Sequence, residues 1–136
     1  MQNETIANLF ADLGIDAEVP GHSLQRLAAV DSRFLKDLRL NVSGVLKSAN
    51  LNRKEALLLA MTVAVNEKHE VLTRAFERLA VAEGATDAEL AEIHACTAVM
   101  NTNNVFYRFR HYMDEVSYYN DQPAGLRMSI MMNPVL

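Results

Sequence analysis

Cys96 is the single thiol in 136 residues, and it is the first place to look for nucleophilic or redox chemistry. Peroxide reduction by a dithiol needs two sulfurs within disulfide reach. One thiolate attacks the peroxide, and the other resolves the product as an intramolecular disulfide. A chain with one cysteine cannot complete that cycle alone. Cys96 has a narrower option: attack a peroxide, become a sulfenic acid, and be rescued by an external thiol. That route needs a lowered pKa and access. Cys96 stands mid-helix between Ala95 and Thr97, and the nearest basic residue, His94, is two positions away and points off another face. The sequence favours a small buried filler, free cysteine being among the most buried residue types. Cys96 is nonetheless the one candidate catalytic residue.

The remaining polar groups read as structural. His69 lies in Glu67-Lys68-His69-Glu70; that spacing is not a metal-ligand pattern, the alternating charges read as a solvated face, and no metal site is expected. His22 and His111 read as surface residues, and His94 as a helix-face residue. Glu55 precedes an apolar run and could be imagined as a general base. Its position in Asn52-Arg53-Lys54-Glu55 explains it better, as the second arm of a capping box. Tyr107, Tyr112, Tyr118 and Tyr119 with Arg108 and Arg110 suggest a base-stacking platform less than helix packing, for which tyrosine suits a neighbour or a second subunit. No glycine-rich phosphate loop and no Ser/His/Asp motif is found, so no cofactor is expected.

Helices must position these groups. Ile6, Leu9, Phe10 and Leu13 recur at helical spacing, with Asn3 as cap and Gly14 as a left-handed stop. Ile15 to His22 is a linker broken by Pro20-Gly21. Ser23 is the expected cap of a run with Leu24, Leu27, Ala28 and Val30 on one face, and Phe34 to Leu46 forms another. Ala56 to Val65 is apolar on nearly every side and predicts a helix buried all round. Val71, Leu72, Ala75, Phe76 and Leu79 define an inward face opposite Glu70, Arg74, Glu77 and Arg78, and Gly84 stops that helix. Thr86-Asp87-Ala88-Glu89 is a second capping box, followed by Leu90, Ile93, Thr97 and Met100 and a run toward Met113. No strand alternation of useful length occurs. The fold class is all-α, a compact helical bundle of about six or seven helices.

Composition sets outer bounds. The length suits one domain with one core, half the residues are hydrophobic, and 22% are charged. The formal charge of −4 and the scattered Lys and Arg argue against nucleic acid as the partner. Met1-Gln2-Asn3-Glu4 has no basic n-region, so no signal peptide is expected. No apolar run approaches the ~20 residues that span a bilayer. A single cysteine suits a reducing, cytoplasmic setting. The chain ends in Met128, Ile130, Met131, Met132, Val135 and Leu136. Such an end tucks into a core, meets a partner, or leads into more chain, and the first is the commonest.

Lys36-Asp37-Leu38-Arg39-Leu40-Asn41-Val42-Ser43 and Leu51, then Asn103-Asn104-Val105-Phe106-Tyr107-Arg108, Gly125-Leu126-Arg127-Met128 and Asn133-Pro134 resemble blocks of alkyl hydroperoxidase D. That protein belongs to the carboxymuconolactone decarboxylase-like superfamily. The blocks keep the family's order and rough spacing over Lys36 to Pro134, and the Asn-Asn-Val-Phe-Tyr-Arg block is the most specific.

The resemblance implies a protein of two similar helical halves, of which this chain matches the N-terminal one. Residues 1–22 are an expected N-terminal extension and 23–136 the helical domain of likeness. The family's second half carries a Glu, a Cys-x-x-Cys and a His, which run a thiol relay linked to lipoamide and a peroxiredoxin. Counted back from Gly84, His69 falls where the first Cys would stand, Leu72 at the second and Phe76 at the His. The resemblance therefore implies antioxidant function, a homo-oligomer of trimeric type, and peroxiredoxin and lipoyl-bearing partners reached through the other half. This chain alone is expected to be inactive in peroxide reduction. The rival expectation is a non-catalytic helical module for oligomerisation or regulation. A decarboxylase or isomerase reading finds no convincing acid–base set.

Overall fold

A computed structural model describes residues 3–19 and 21–134. Met1, Gln2, Pro20, Val135 and Leu136 lie outside the described residues, and with them one residue of the expected linker and the tip of the apolar end. The chain divides into two units, Met1–Ala85 and Thr86–Leu136. Among the described residues every regular element is helical, as the periodicity predicts.

The first unit holds α1 (Glu4–Asp12), α2 (His22–Ala29), α3 (Phe34–Val45), α4 (Arg53–Asn66) and α5 (Glu70–Ala82). Helix α1 starts where Asn3 accepts a hydrogen bond from the Thr5 N–H, and it ends at Gly14, whose φ is +64°. Its apolar stripe buries Ile6 and Phe10 against Leu35 of α3, with Ile15, Val19, Leu24, Leu27 and Ala28 packed around them. Burying a side chain of this size is worth about 1.5–3 kcal/mol.

Helices α4 and α5 form an antiparallel pair. The Asn52–Glu55 capping box closes the start of α4: the Glu55 N–H donates to Asn52 Oδ1 at 2.9 Å, and the Asn52 N–H donates to Glu55 Oε2 at 2.9 Å. Glu55 is thus a cap. Leu57 and Met61 are completely buried, with Ala56, Leu58 and Ala64 beside them. The expectation of burial on all sides fails on the opposite face, where Leu59 is 54% and Val63 63% exposed. Those five buried residues seat the pair, Ala60, Thr62 and Val65 are partly buried, and Leu59 and Val63 are left at the surface.

Smaller departures follow local geometry. Helix α2 begins one residue before the expected Ser23 cap, with Gly21 in the capping position and no side chain bonded there. Val30 is the C-cap of α2 rather than part of its face, and it is exposed. Val71 sits in the first turn of α5 at the edge of its inward face and is also exposed, whereas Ala75, Phe76 and Ala80 are buried.

The second unit is dominated by α6 (Asp87–Tyr112), 26 residues without a break. Its capping box pairs Thr86 and Glu89, the Thr86 N–H donating to the Glu89 carboxylate at 2.7 Å. Glu92, Ile93 and Thr97 are its buried residues, and the Thr97 hydroxyl donates back to the Ile93 carbonyl at 2.7 Å. Met100 is exposed instead of continuing that face. A short helix α7 (Ser117–Asn120) and a 3-10 turn at Ser129–Met131 follow. Met131 and Met132 are exposed, while Met128 and Ile130 are partly buried.

Candidate functional site

His69 stands at the junction of α4 and α5. Lys68 takes a left-handed conformation (φ +55°) that ends α4, and His69 becomes the N-cap of α5. Its Nδ1 accepts a hydrogen bond from the Leu72 N–H at 3.3 Å. An imidazole that accepts at Nδ1 carries its proton at Nε2, so His69 offers an N–H donor from its other side. Leu72 lies three residues into the helix and Phe76 one turn further, on the same side.

All three of these residues line one cavity of about 550 Å3 that opens to solvent within the first unit. Leu9, Phe10 and Leu13 of α1, Leu24 of α2, and Leu38 and Val42 of α3 make most of the remaining wall. The polar side chains of the lining are His22, Ser23 and His69. His69, Leu72 and Phe76, which the count back from Gly84 sets by resemblance against a redox pair and its histidine, therefore share a pocket here as imidazole, isobutyl and phenyl groups. None of them can relay electrons. Arg78 of α5 donates to the Gly14 carbonyl at 2.7 Å, closing the end of α1 beside this wall.

Cys96 is elsewhere, on α6, and the structure corrects the expectation of a buried filler: the residue is exposed. Exposure does not activate it. Its Sγ lies 3.8 Å from a carboxylate oxygen of Glu92, one helical turn earlier, as donor to acceptor. Local desolvation, then the negative charge of Glu92 and that hydrogen bond, push the thiol above its ordinary pKa. A thiol held in its neutral form is a poor nucleophile.

The other candidates stay apart from both places. His94 and His111 are exposed on α6. The tyrosines pack as rings rather than as an open stack: Tyr118 meets Tyr119 edge-on at 5.2 Å, Phe109 meets Tyr119 at 5.7 Å, and Arg110 lies 5.9 Å over Phe106. No group of three His, Cys, Asp or Glu side chains fit to hold a metal is found among the described residues. No helix of these residues is long and apolar enough to cross a membrane.

Sequence reasoning missed the cavity and the capping role of His69. The signal was present in part, since a polar residue after an apolar helix and before an amphipathic one sits where caps are found. The left-handed Lys68 that sets its register carries no glycine to announce it.

Comparison with known proteins places the chain. Over 112 residues it is 33% identical to alkyl hydroperoxide reductase AhpD of Bradyrhizobium sp. (strain ORS 278), covering 82% of this chain and 61% of that protein. Identity to the AhpD of Streptomyces avermitilis is also 33%, covering 82% and 62%. For Coxiella burnetii (strain Dugway 5J108-111) it is 35% over 104 residues, covering 74% and 58%. The chain is AhpD-like. It spans about six-tenths of the length of the curated relatives it matches. No protein-family model matches it, and no solved structure does. An AhpD-like chain with one exposed, protonated thiol and an apolar pocket is thus a family relative without a dithiol in these residues.

Proposed function

We propose that this chain serves thiol-dependent peroxide defence in the cytoplasm as the N-terminal part of an alkyl hydroperoxidase D-like protein of the carboxymuconolactone decarboxylase-like superfamily. It supplies scaffold and subunit contacts, while a Cys-x-x-Cys segment outside residues 1–136 runs the relay with a lipoyl-bearing protein and a peroxiredoxin. In this reading residues 23–136 are the domain of likeness and 1–22 its extension. The assembly is a homo-oligomer, of trimeric type. The observation that carries the reading is the 33% identity to AhpD proteins across 82% of the chain.

The test is genetic and enzymatic. Deleting the gene should sensitise the source cell to an organic hydroperoxide, and the whole gene should restore resistance where residues 1–136 alone do not. Purified residues 1–136 should show no lipoamide-dependent turnover. Turnover that Cys96→Ser abolishes would overturn the division of labour.

A second reading is a non-catalytic module for oligomerisation or regulation. It is favoured by the exposed Leu59 and Val63 on α4 and by the absence of thiols at positions 69 and 72. Unchanged hydroperoxide sensitivity in the deletion would bring it forward.

A further inference from the structure

The cavity of the first unit has the makings of a ligand site in its own right. At about 550 Å3 it lies within the roughly 300–1,000 Å3 of small-molecule pockets, which are mostly apolar with a few placed polar groups. Its wall is leucine, valine, isoleucine and phenylalanine, and it includes no carboxylate, lysine or arginine. A cationic ligand finds no carboxylate in that lining.

The polar residues of the lining belong to two helix starts. Gly21, His22 and Ser23 open α2, an eight-residue helix with no side-chain cap bond, and His69 opens α5. The first N–H groups of a helix lack partners within it, and the helix start carries partial positive charge. His69 adds the Nε2–H donor left by its bond to Leu72. The α2 start, with no acidic residue in its first turn and no side-chain cap, and the His69 N–H at an otherwise apolar cavity suit a molecule with one anionic head and one greasy tail. The cavity carries this inference; the helix starts only choose the head group.

We propose that the cavity binds a medium-chain aliphatic monocarboxylate. The tail lies among Leu9, Leu38, Val42 and Phe76, and the carboxylate faces His22, Ser23 and His69. The assignment is independent of the peroxide-defence reading, because its test contains no thiol or redox step.

Titration of the whole chain with sodium decanoate, followed by 1H–15N correlation spectra, tests it, with 1-decanol as the neutral probe. Saturable shifts centred on residues 22–24 and 69–72 are expected, with decanoate at least tenfold tighter than decanol. Val42→Phe should weaken both probes by filling the tail space. His69→Asp keeps an acceptor at the N-cap and adds a negative charge, so it should weaken decanoate at least tenfold and leave decanol unchanged. His69→Asn, a neutral cap, should retain most decanoate binding. Circular dichroism confirms that each variant is folded. No saturable shift with either probe, or equal affinity for both that His69→Asp leaves unmoved, would overturn the proposal.

Discussion

The Cys96 thiol and the Glu92 carboxylate lie one turn apart on α6, sulfur to oxygen 3.8 Å. Local desolvation, and then the negative charge that a thiolate there would face, retain the proton above the ordinary thiol range. Iodoacetamide at pH 8 should therefore label Cys96 several-fold more slowly than a free cysteine peptide, despite the residue's exposure. Glu92→Gln removes the charge and should raise the rate without restoring that of the free peptide, because desolvation, the larger cause, remains. The rate should climb with pH to a plateau reached earlier in Glu92→Gln. Identical profiles in the two proteins would show that Glu92 does not hold the proton.

The helix ends explain what could be read from the sequence and what could not. Gly14 and Gly84 are visible stops, and both adopt the left-handed conformation expected of them. Asp31 and Lys68 end α2 and α4 in the same way, with φ of +48° and +55°. In each, the next N–H reaches back to the carbonyl five residues earlier, Ser32 to Leu27 at 3.0 Å and His69 to Ala64 at 2.9 Å. Aspartate visits this region more readily than most residues, so Asp31 carries a weak signal, whereas the side chain of Lys68 carries none and takes a cost that glycine would avoid. Helix identity and both capping boxes were legible because periodicity and cap chemistry are local. The cavity was not, because its wall is drawn from four helices far apart in sequence.

Opposite signs are thus expected at two equivalent stops. Lys68→Gly relieves the left-handed strain and should stabilise the first unit by about 0.5–1 kcal/mol. Gly84→Ala should destabilise by about 1 kcal/mol. A β-carbon at Gly84 would meet nothing within 4 Å, so that loss is conformational and not steric. Urea unfolding followed by circular dichroism measures both. Two changes of the same sign would refute the backbone argument.

Helix α4 separates burial from hydrophobicity. Leu57 is 0% exposed and Leu59, two residues on, 54%. Leu57→Ala leaves a cavity in a packed interface and should cost about 2–5 kcal/mol. Leu59→Ala should change stability by no more than about 0.5 kcal/mol in the isolated chain. If the chain self-associates through the Leu59–Val63 face, as the oligomer reading proposes, Leu59→Asp should lower the molar mass found by light scattering without altering the helical signal. A mass unchanged by Leu59→Asp would move the subunit contact elsewhere.

The sharpest test of the count back from Gly84 that sets His69 and Leu72 at the cysteine positions is to place sulfurs there. Positions 69 and 72 are the N-cap and third residue of α5, and the His69 side chain already reaches the Leu72 N–H at 3.3 Å. Side chains at these positions share the first turn, which brings two cysteines within disulfide reach. The helix start also favours a thiolate at the cap. His69→Cys with Leu72→Cys, in a Cys96→Ser background, should therefore close an intramolecular disulfide in oxidised glutathione, seen as a loss of two mass units. In the reduced protein, the thiol introduced at position 69 should alkylate faster at pH 7 than Cys96 does in the natural chain, because it sits at a helix start and does not donate to a carboxylate one turn away as Cys96 does to Glu92. Peroxidase turnover is not expected, since the same count sets Phe76 where the resemblance calls for a histidine. If no disulfide forms while the fold is retained, positions 69 and 72 do not share redox geometry, and the count back from Gly84 that equates them with the redox pair is wrong.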